Sequence, residues 1–249
     1  PKPAVDSLPW LIHSMRIATF EIYPHKAFLQ QQVNHFFKTF INEHTGLVKP
    51  ELHVSSIKDF SIRKSSCYDN TMVALLAADL KKLGLENPLE KYDYPSLLKR
   101  HLWSGEFFYD DLTKKNYVAG DANLFPFVLG IIKDKEMMHS ALRRIHAEGL
   151  DEPFPLKYTS GRKGVQFIGE ELFLFNYESN AIWMHMGPLY VKLLQQVDKE
   201  RAAMYMEKYT QLIEKYGNFV EVFDASGKPL SRPFYHCDYG MLWAANYLT

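Results

Sequence analysis

Cysteine is nearly absent. Cys67 and Cys237 are the only two in 249 residues, too few for a disulfide framework and without the close spacing of a metal-thiolate site. A reducing, cytoplasmic setting is therefore expected. Net charge is lacking as well: 29 Lys and Arg balance 29 Asp and Glu, which removes the electrostatic pull toward nucleic acid or anionic membrane. No apolar run reaches the roughly eighteen residues of a membrane span, and the opening PKPAVDSLPW has neither the basic nor the apolar region of a leader. There is no Gly-rich phosphate loop, no HExxH, and no Ser/His/Asp set in a motif context. No metal and no cofactor is expected, and the natural partner is a small neutral or polar molecule. No Gly/Ser/Pro-rich linker or charge block divides the chain, so a single domain over residues 1–249 is expected.

Aromatic residues are plentiful, at 14% of the chain. Most will pack a core, and some can present flat apolar faces to a ligand. Apolar periodicity predicts helices over residues 4–20, 25–44, 95–103, 121–132, 135–148 and 199–216. In the second, Phe28, Val33, Phe36, Phe37, Phe40 and Ile41 form a wide stripe. Residues 45–68 read as a long loop with a short strand near Leu52 to Val54, and loops of that length are usually functional. Pro126 is expected within a first helical turn, where proline is tolerated.

Two stretches carry candidate chemistry. The first, SSCYDNTMVALLAADLKKLGL, runs from a polar turn into a helix striped by Met72, Leu75, Leu76, Leu80 and Leu83, with Gly84 past its end. Asp69 lies at that helix start, and its plainest role is an N-cap. Asp121 and Asn123 stand at the mouth of another predicted helix, as caps or as ligands for hydroxyl groups. The second stretch, residues 218–249, sets Glu221 before an Asp-Ala-Ser-Gly turn and a closing aromatic helix. Glu170-Glu171 is a rival source of a catalytic carboxylate but lacks the following Asp-x-x-Gly turn, and the aromatic-acidic cluster Phe107, Phe108, Tyr109, Asp110 and Asp111 reads as a β-hairpin or as a substrate-facing loop.

Together, Cys67-Tyr68-Asp69-Asn70-Thr71 and Glu221-Val222-Phe223-Asp224-Ala225-Ser226-Gly227 resemble the paired motifs of (α/α)6-toroid glycoside hydrolases, the neutral invertase, trehalase and mannosylglycerate hydrolase group. Val222 stands where an aromatic is usual, and Cys67 is an unusual neighbour of the acid. The resemblance implies an all-α toroid and a small glycoside or oligosaccharide as substrate. It implies inverting hydrolysis with Asp69 as general acid and Glu221 as general base. It also implies sugar contacts from Tyr68, Asn70, Asp121, Asn123, Asn180, Trp183, His185 and Trp243. Residues 176–197, NYESNAIWMHMGPLYVKLLQQV, are similar to the family's Tyr-x-x-Asn/Gly-x-Ile-Trp stretch, although the same residues also read as a helix with Trp183 in the core.

About nine helices are predicted, short of six full hairpins, with the shortage before Asp69. An N-terminally incomplete barrel, the C-terminal part of a longer one, is therefore expected. The alternatives are a sugar epimerase or isomerase using His185 or His236, and a carbohydrate-binding protein without turnover. A physical tension attends Asp69: a helix N-terminus favours the carboxylate, whereas a general acid must hold its proton.

Overall fold

A computed structural model describes residues 4–233 and 235–248. Helices dominate these residues, and each named strand is two residues long, so the chain is of the expected all-α class. It divides into two compact units whose stretches alternate along the sequence. The first holds residues 1–59, 63–103 and 109–115; the second holds 60–62, 104–108 and 116–249.

The first unit contains α1 (Ser7–Ile17), α2 (Lys26–Phe40), α3 (Cys67–Leu83) and α4 (Tyr94–Leu102). Helix α3 packs against both α1 and α4. Ile12, Leu29, Val33, Met72, Leu76, Leu80 and Leu98 are buried, and each such side chain removed from water stabilises the unit by about 1.5–3 kcal/mol. The stripe of α2 is narrower than the sequence suggests: Val33, Phe36 and Phe40 are buried while Phe28 stands exposed. Helix α3 departs from simple amphipathicity. Its first ten residues, Cys67 to Leu76, are buried on every side, with polar Asp69, Asn70 and Thr71 among them. Only the last turns show the expected solvent face, with Lys81 and Lys82 before a left-handed Gly84.

Two local expectations are corrected here. No strand forms at Leu52 to Val54; the Val54 carbonyl instead accepts the Val5 N–H at 2.9 Å. Asp69 is not the N-cap. Ser66 holds that position in extended conformation, and its Oγ accepts the Asp69 N–H at 3.0 Å. Asp69 therefore sits in the first turn, where the helix dipole acts on it but its carboxyl is not spent on capping.

The second unit contains α5 (Gly120–Val128), α6 (Lys135–Ala147), α7 (Gly187–Leu194), α8 (Lys199–Tyr216) and the short α9 (Ala245–Leu248). Helix α7 is the hub, touching α5, α8 and α9. Strand β1 (Ile182–Trp183) pairs antiparallel with β2 (Val222–Phe223), Trp183 opposite Val222. Strands β3 (Ser231–Arg232) and β4 (Tyr235–His236) form a second small antiparallel pair. Pro126 lies inside α5 and not in its first turn, because the helix begins earlier, at Gly120. Proline supplies no N–H for the helical ladder, and α5 ends two residues later. Gly120 is required by close approach: a Cβ there would lie 2.3 Å from the Lys157 carbonyl, where Gly120 N–H also donates to Tyr158 O at 2.8 Å.

Candidate active site

In the first unit, Asp69 is 4% exposed and its Oδ1 has no hydrogen-bond partner. Burial raises its pKa above the ordinary carboxylate range, and the negative Asp6 adds to the rise; Arg63 and the hydroxyls of Ser66 and Ser55 oppose it. Desolvation thus outweighs the opposing Arg63 and serine hydroxyls. Arg63 is itself buried and largely committed. Its guanidinium meets Asp110 Oδ1 at 3.3 Å and Ser55 Oγ at 2.5 Å. Buried Lys58 also lies 3.4 Å from Asp110 Oδ1.

Glu221, in the second unit, has different surroundings. It is partly exposed and directly precedes β2. Its Oε2 accepts the Tyr235 hydroxyl at 2.6 Å and the Asp238 N–H at 3.0 Å. Its backbone is clamped on both sides, N–H to Asp238 O and carbonyl to Met184 N–H. Burial together with the bond to Glu221 pushes the Tyr235 phenol up, so Tyr235 remains a donor that orients the carboxylate. The following turn is self-contained: Asp224 Oδ1 takes the N–H groups of Ser226 and Lys228, and Gly227 turns with φ +82°.

Aromatic rings line up from Glu221. Tyr235 meets Tyr177 edge-on at 5.2 Å between centroids, and Tyr177 meets Trp183 at 4.7 Å. Trp183 and Trp243 both contact His185, at 5.3 and 4.9 Å, and Tyr158 closes the group. Trp183 is only 6% exposed and its indole N–H is bonded to Tyr177 O, so it is principally a wall of this cluster, whereas Trp243 is half-buried. His185 Nε2 lies 3.3 Å from the Tyr158 hydroxyl, and its buried Nδ1 has no partner. Burial lowers its pKa to about 3. The imidazole is therefore neutral near pH 7, a hydrogen-bonding group without a spare proton. That weighs against an acid role in isomerisation, and His236 is exposed and bonded to Ser231 Oγ.

Several expected sugar contacts serve the chain's own backbone. Asn70 is fully buried, with Oδ1 on the Val48 N–H and Nδ2 on Ser65 Oγ and Ser66 O. Asn123 binds both the N–H and the carbonyl of Phe108. In both, the amide oxygen and nitrogen are engaged by the chain's own groups. Tyr68 is buried, donating to Asp6 Oδ2 at 2.9 Å and accepting from Trp10 Nε1 at 3.2 Å. Asp121 is fully buried in the first turn of α5 without capping it. Asn180 is partly exposed and its side chain makes no hydrogen bond among the described residues.

Glu171 and Asp111 are committed elsewhere. Glu171 is fully buried in an ion pair with Arg162, and Glu170 is exposed on the same short 3-10 turn. Asp111 shapes a turn through Thr113 and the Lys64 N–H. His146, Asp151 and Glu152 hold potential ligand atoms within 4.8 Å of one another, but Asp151 already takes the Tyr190 hydroxyl, His146 and Arg201.

Asp6, Arg63, Tyr158 and Tyr235 carry no motif in the sequence, whereas Tyr177 opens the Tyr-x-x-Asn-x-Ile-Trp stretch. For Tyr235 a signal was present in RPFYHCDYG, a tyrosine in the segment that returns to Glu221.

No family model matches the chain, and no curated protein matches it in sequence. In solved structures the fold is similar to a rhamnosidase from Klebsiella oxytoca with rhamnose bound, with TM-score 0.59 and 14% identity over 98% of this chain. The chain spans 44% of that protein's length. The likeness is one of fold, and it supports the all-α, toroid-type class expected from the sequence. No helix among the described residues is long and apolar enough to cross a membrane.

Proposed function

We propose that this chain carries the chemistry of a glycoside hydrolase acting on a small glycoside or oligosaccharide by inversion. Asp69 gives its proton to the departing oxygen, and Glu221 takes a proton from the attacking water. The observation that carries the reading is the pairing of Glu221, oriented by Tyr235, with the adjoining cluster of Tyr177, Trp183, His185 and Trp243. Aromatic faces suit the C–H faces of a sugar ring, and a neutral imidazole suits an uncharged hydroxyl. Asp69, whose carboxyl burial raises above its ordinary value, is the acid of this reading. The rhamnosidase likeness in fold supports the same class.

The experiment is hydrolysis of a panel of aryl glycosides and glycosyl fluorides, with the anomeric form of the first product followed by NMR. The inverted anomer, formed by the wild type and lost in Glu221→Gln, is expected. Saccharide binding without any turnover would leave a binding protein instead. Isomerised free sugar would replace hydrolysis with isomerase chemistry.

A further inference from the structure

We propose that Glu178 is a positioning residue for the aromatic wall beside Glu221. By holding the backbone at Phe60 and Ser61, it sets the Tyr177 ring against Tyr235, the donor to Glu221. The inference rests on the reading of Glu221 as the base and of the rings beside it as the sugar wall. Every residue in it belongs to the second unit.

Glu178 is 1% exposed. Its Oε1 accepts the Phe60 N–H at 2.9 Å, and its Oε2 accepts the Ser61 N–H at 2.8 Å and the Ser61 hydroxyl at 2.9 Å. The remaining backbone bonds of this segment go to residues 166–168: the Phe60 carbonyl accepts the Ile168 N–H, and the Ile62 N–H donates to Gln166 O, on either side of an antiparallel bridge between Ser61 and Phe167. Two successive N–H groups are thus satisfied by one side chain, and buried N–H groups need a partner. A carboxylate suits the task because both of its oxygens accept, whereas an amide would turn a donor toward these donors.

The hold bears on the site through the residue next to it. Tyr177 precedes Glu178, and its ring meets the Phe60 ring edge-on, with centroids 6.1 Å apart. Neighbouring residues therefore hold one segment twice, carboxylate on backbone and ring on ring. Phe60 lies 118 residues before Glu178, so no local turn can place it. The half-buried Tyr177 ring also meets Trp183 and Tyr235, and its carbonyl accepts the Trp183 indole N–H at 2.9 Å. Tyr235 in turn donates to Glu221. Direct contacts run without a gap from Glu178 through Phe60 and Tyr177 to Tyr235 and Glu221.

The test is hydrogen exchange of the Trp183 indole N–H in the full chain, since that group reads the Tyr177 carbonyl directly. Its NMR signal is identified by loss in Trp183→Phe. In Glu178→Gln the indole is expected to exchange roughly tenfold faster, while the amides of α8, in the same unit, change little. An indole that quickens only in step with the α8 amides overturns the proposal, because stability is then lost without loss of position. Phe60→Leu, which removes the ring contact and keeps the backbone bonds, should quicken the indole as well. The double variant should go no further than the larger single effect, and additive effects overturn the route through Phe60.

Should Glu178→Gln fail to fold, Phe60→Leu and Ser61→Ala still decide, the second removing one donor to Glu178 and leaving both N–H bonds. A quickened indole in each supports the proposal, and unchanged rates in both overturn it. On an aryl glycoside that the wild type hydrolyses, Glu178→Gln should raise KM more than it lowers kcat. An unmoved KM with a quickened indole overturns the proposal there. A quickened indole in a protein without hydrolysis upholds the role of Glu178 in placing Tyr177 and refutes the glycosidase reading alone.

Discussion

The surroundings of Asp69 and Glu221 are built from opposite materials. Asp69 lies among buried polar and ionic groups, Asp6, Arg63, Lys58, Asp110 and two serines. Glu221 is partly exposed, takes two donors on one oxygen, and is bordered by aromatic rings. Two side chains with nearly the same reference pKa thus stand in different surroundings of burial and hydrogen bonding. Desolvation raises the Asp69 carboxyl above its ordinary value, whereas Glu221 is oriented by two hydrogen-bond donors and reaches solvent.

The sharpest break of this contrast is kinetic. Glu221→Gln should lower turnover for all substrates by about a hundred- to ten-thousandfold. Asp69→Asn should do the same only for glycosides with poor leaving groups and spare glycosyl fluorides, which depart without a proton. Steady-state rates on the two substrate types decide it, and equal losses in both variants would erase the division of labour.

Next in size are the two tryptophans of the aromatic region. Trp183, nearly buried with its N–H bonded, should cost about 3–5 kcal/mol of stability on truncation to Ala, read by chemical denaturation. Trp243→Ala should melt close to the wild type and weaken saccharide binding in calorimetry. A Trp183→Ala protein of wild-type stability would contradict its place in the core.

The two regions should also respond to pH with opposite sign. Asp69 has a raised folded-state pKa, so its contribution to stability is full below its unfolded value and is lost as pH rises through the folded one. Asp69→Asn escapes that loss and should melt above the wild type at neutral pH. His185 is depressed to about 3 from about 6.5. Its contribution is full above pH 6.5 and is lost as pH falls toward 3, a loss that His185→Gln should lessen. Melting curves across pH 3 to 8 test both signs. The smallest effect is Ser66→Ala, which removes the cap of α3 for about 1 kcal/mol and should leave the Glu221 surroundings untouched.

The helices were legible because their apolar spacing, Ser/Asp caps and glycine ends are local signals. The carboxylates Asp69 and Glu221 were legible only as motifs. What sets them apart physically is not: burial and hydrogen-bond partners, such as Tyr235 for Glu221, are brought up by the fold. The partners of Asn70 and Asn123 are not legible for a related reason. A polar residue at a helix start looks the same whether its partner is backbone or ligand, and the partners Val48 and Phe108 are brought up by the fold. Strand β1 escaped because two residues show no period, so its stretch read as helix. Pro126 was misplaced because the start of α5 lies at a glycine held by the 157–158 backbone, a constraint with no local mark.

The alternation of the two units along the chain bears on how such a protein can be inherited. Residues 60–62 belong to the second unit, where Glu178 takes the N–H groups of Phe60 and Ser61 and Ile62 N–H donates to Gln166 O. They are nonetheless encoded inside the first, as are residues 104–108. A gene fragment ending at residue 115 would carry off pieces of both, and one beginning at 116 would lack what Glu178 holds. Neither unit can be exchanged by a single recombination crossover, so the two would pass between genomes as one piece.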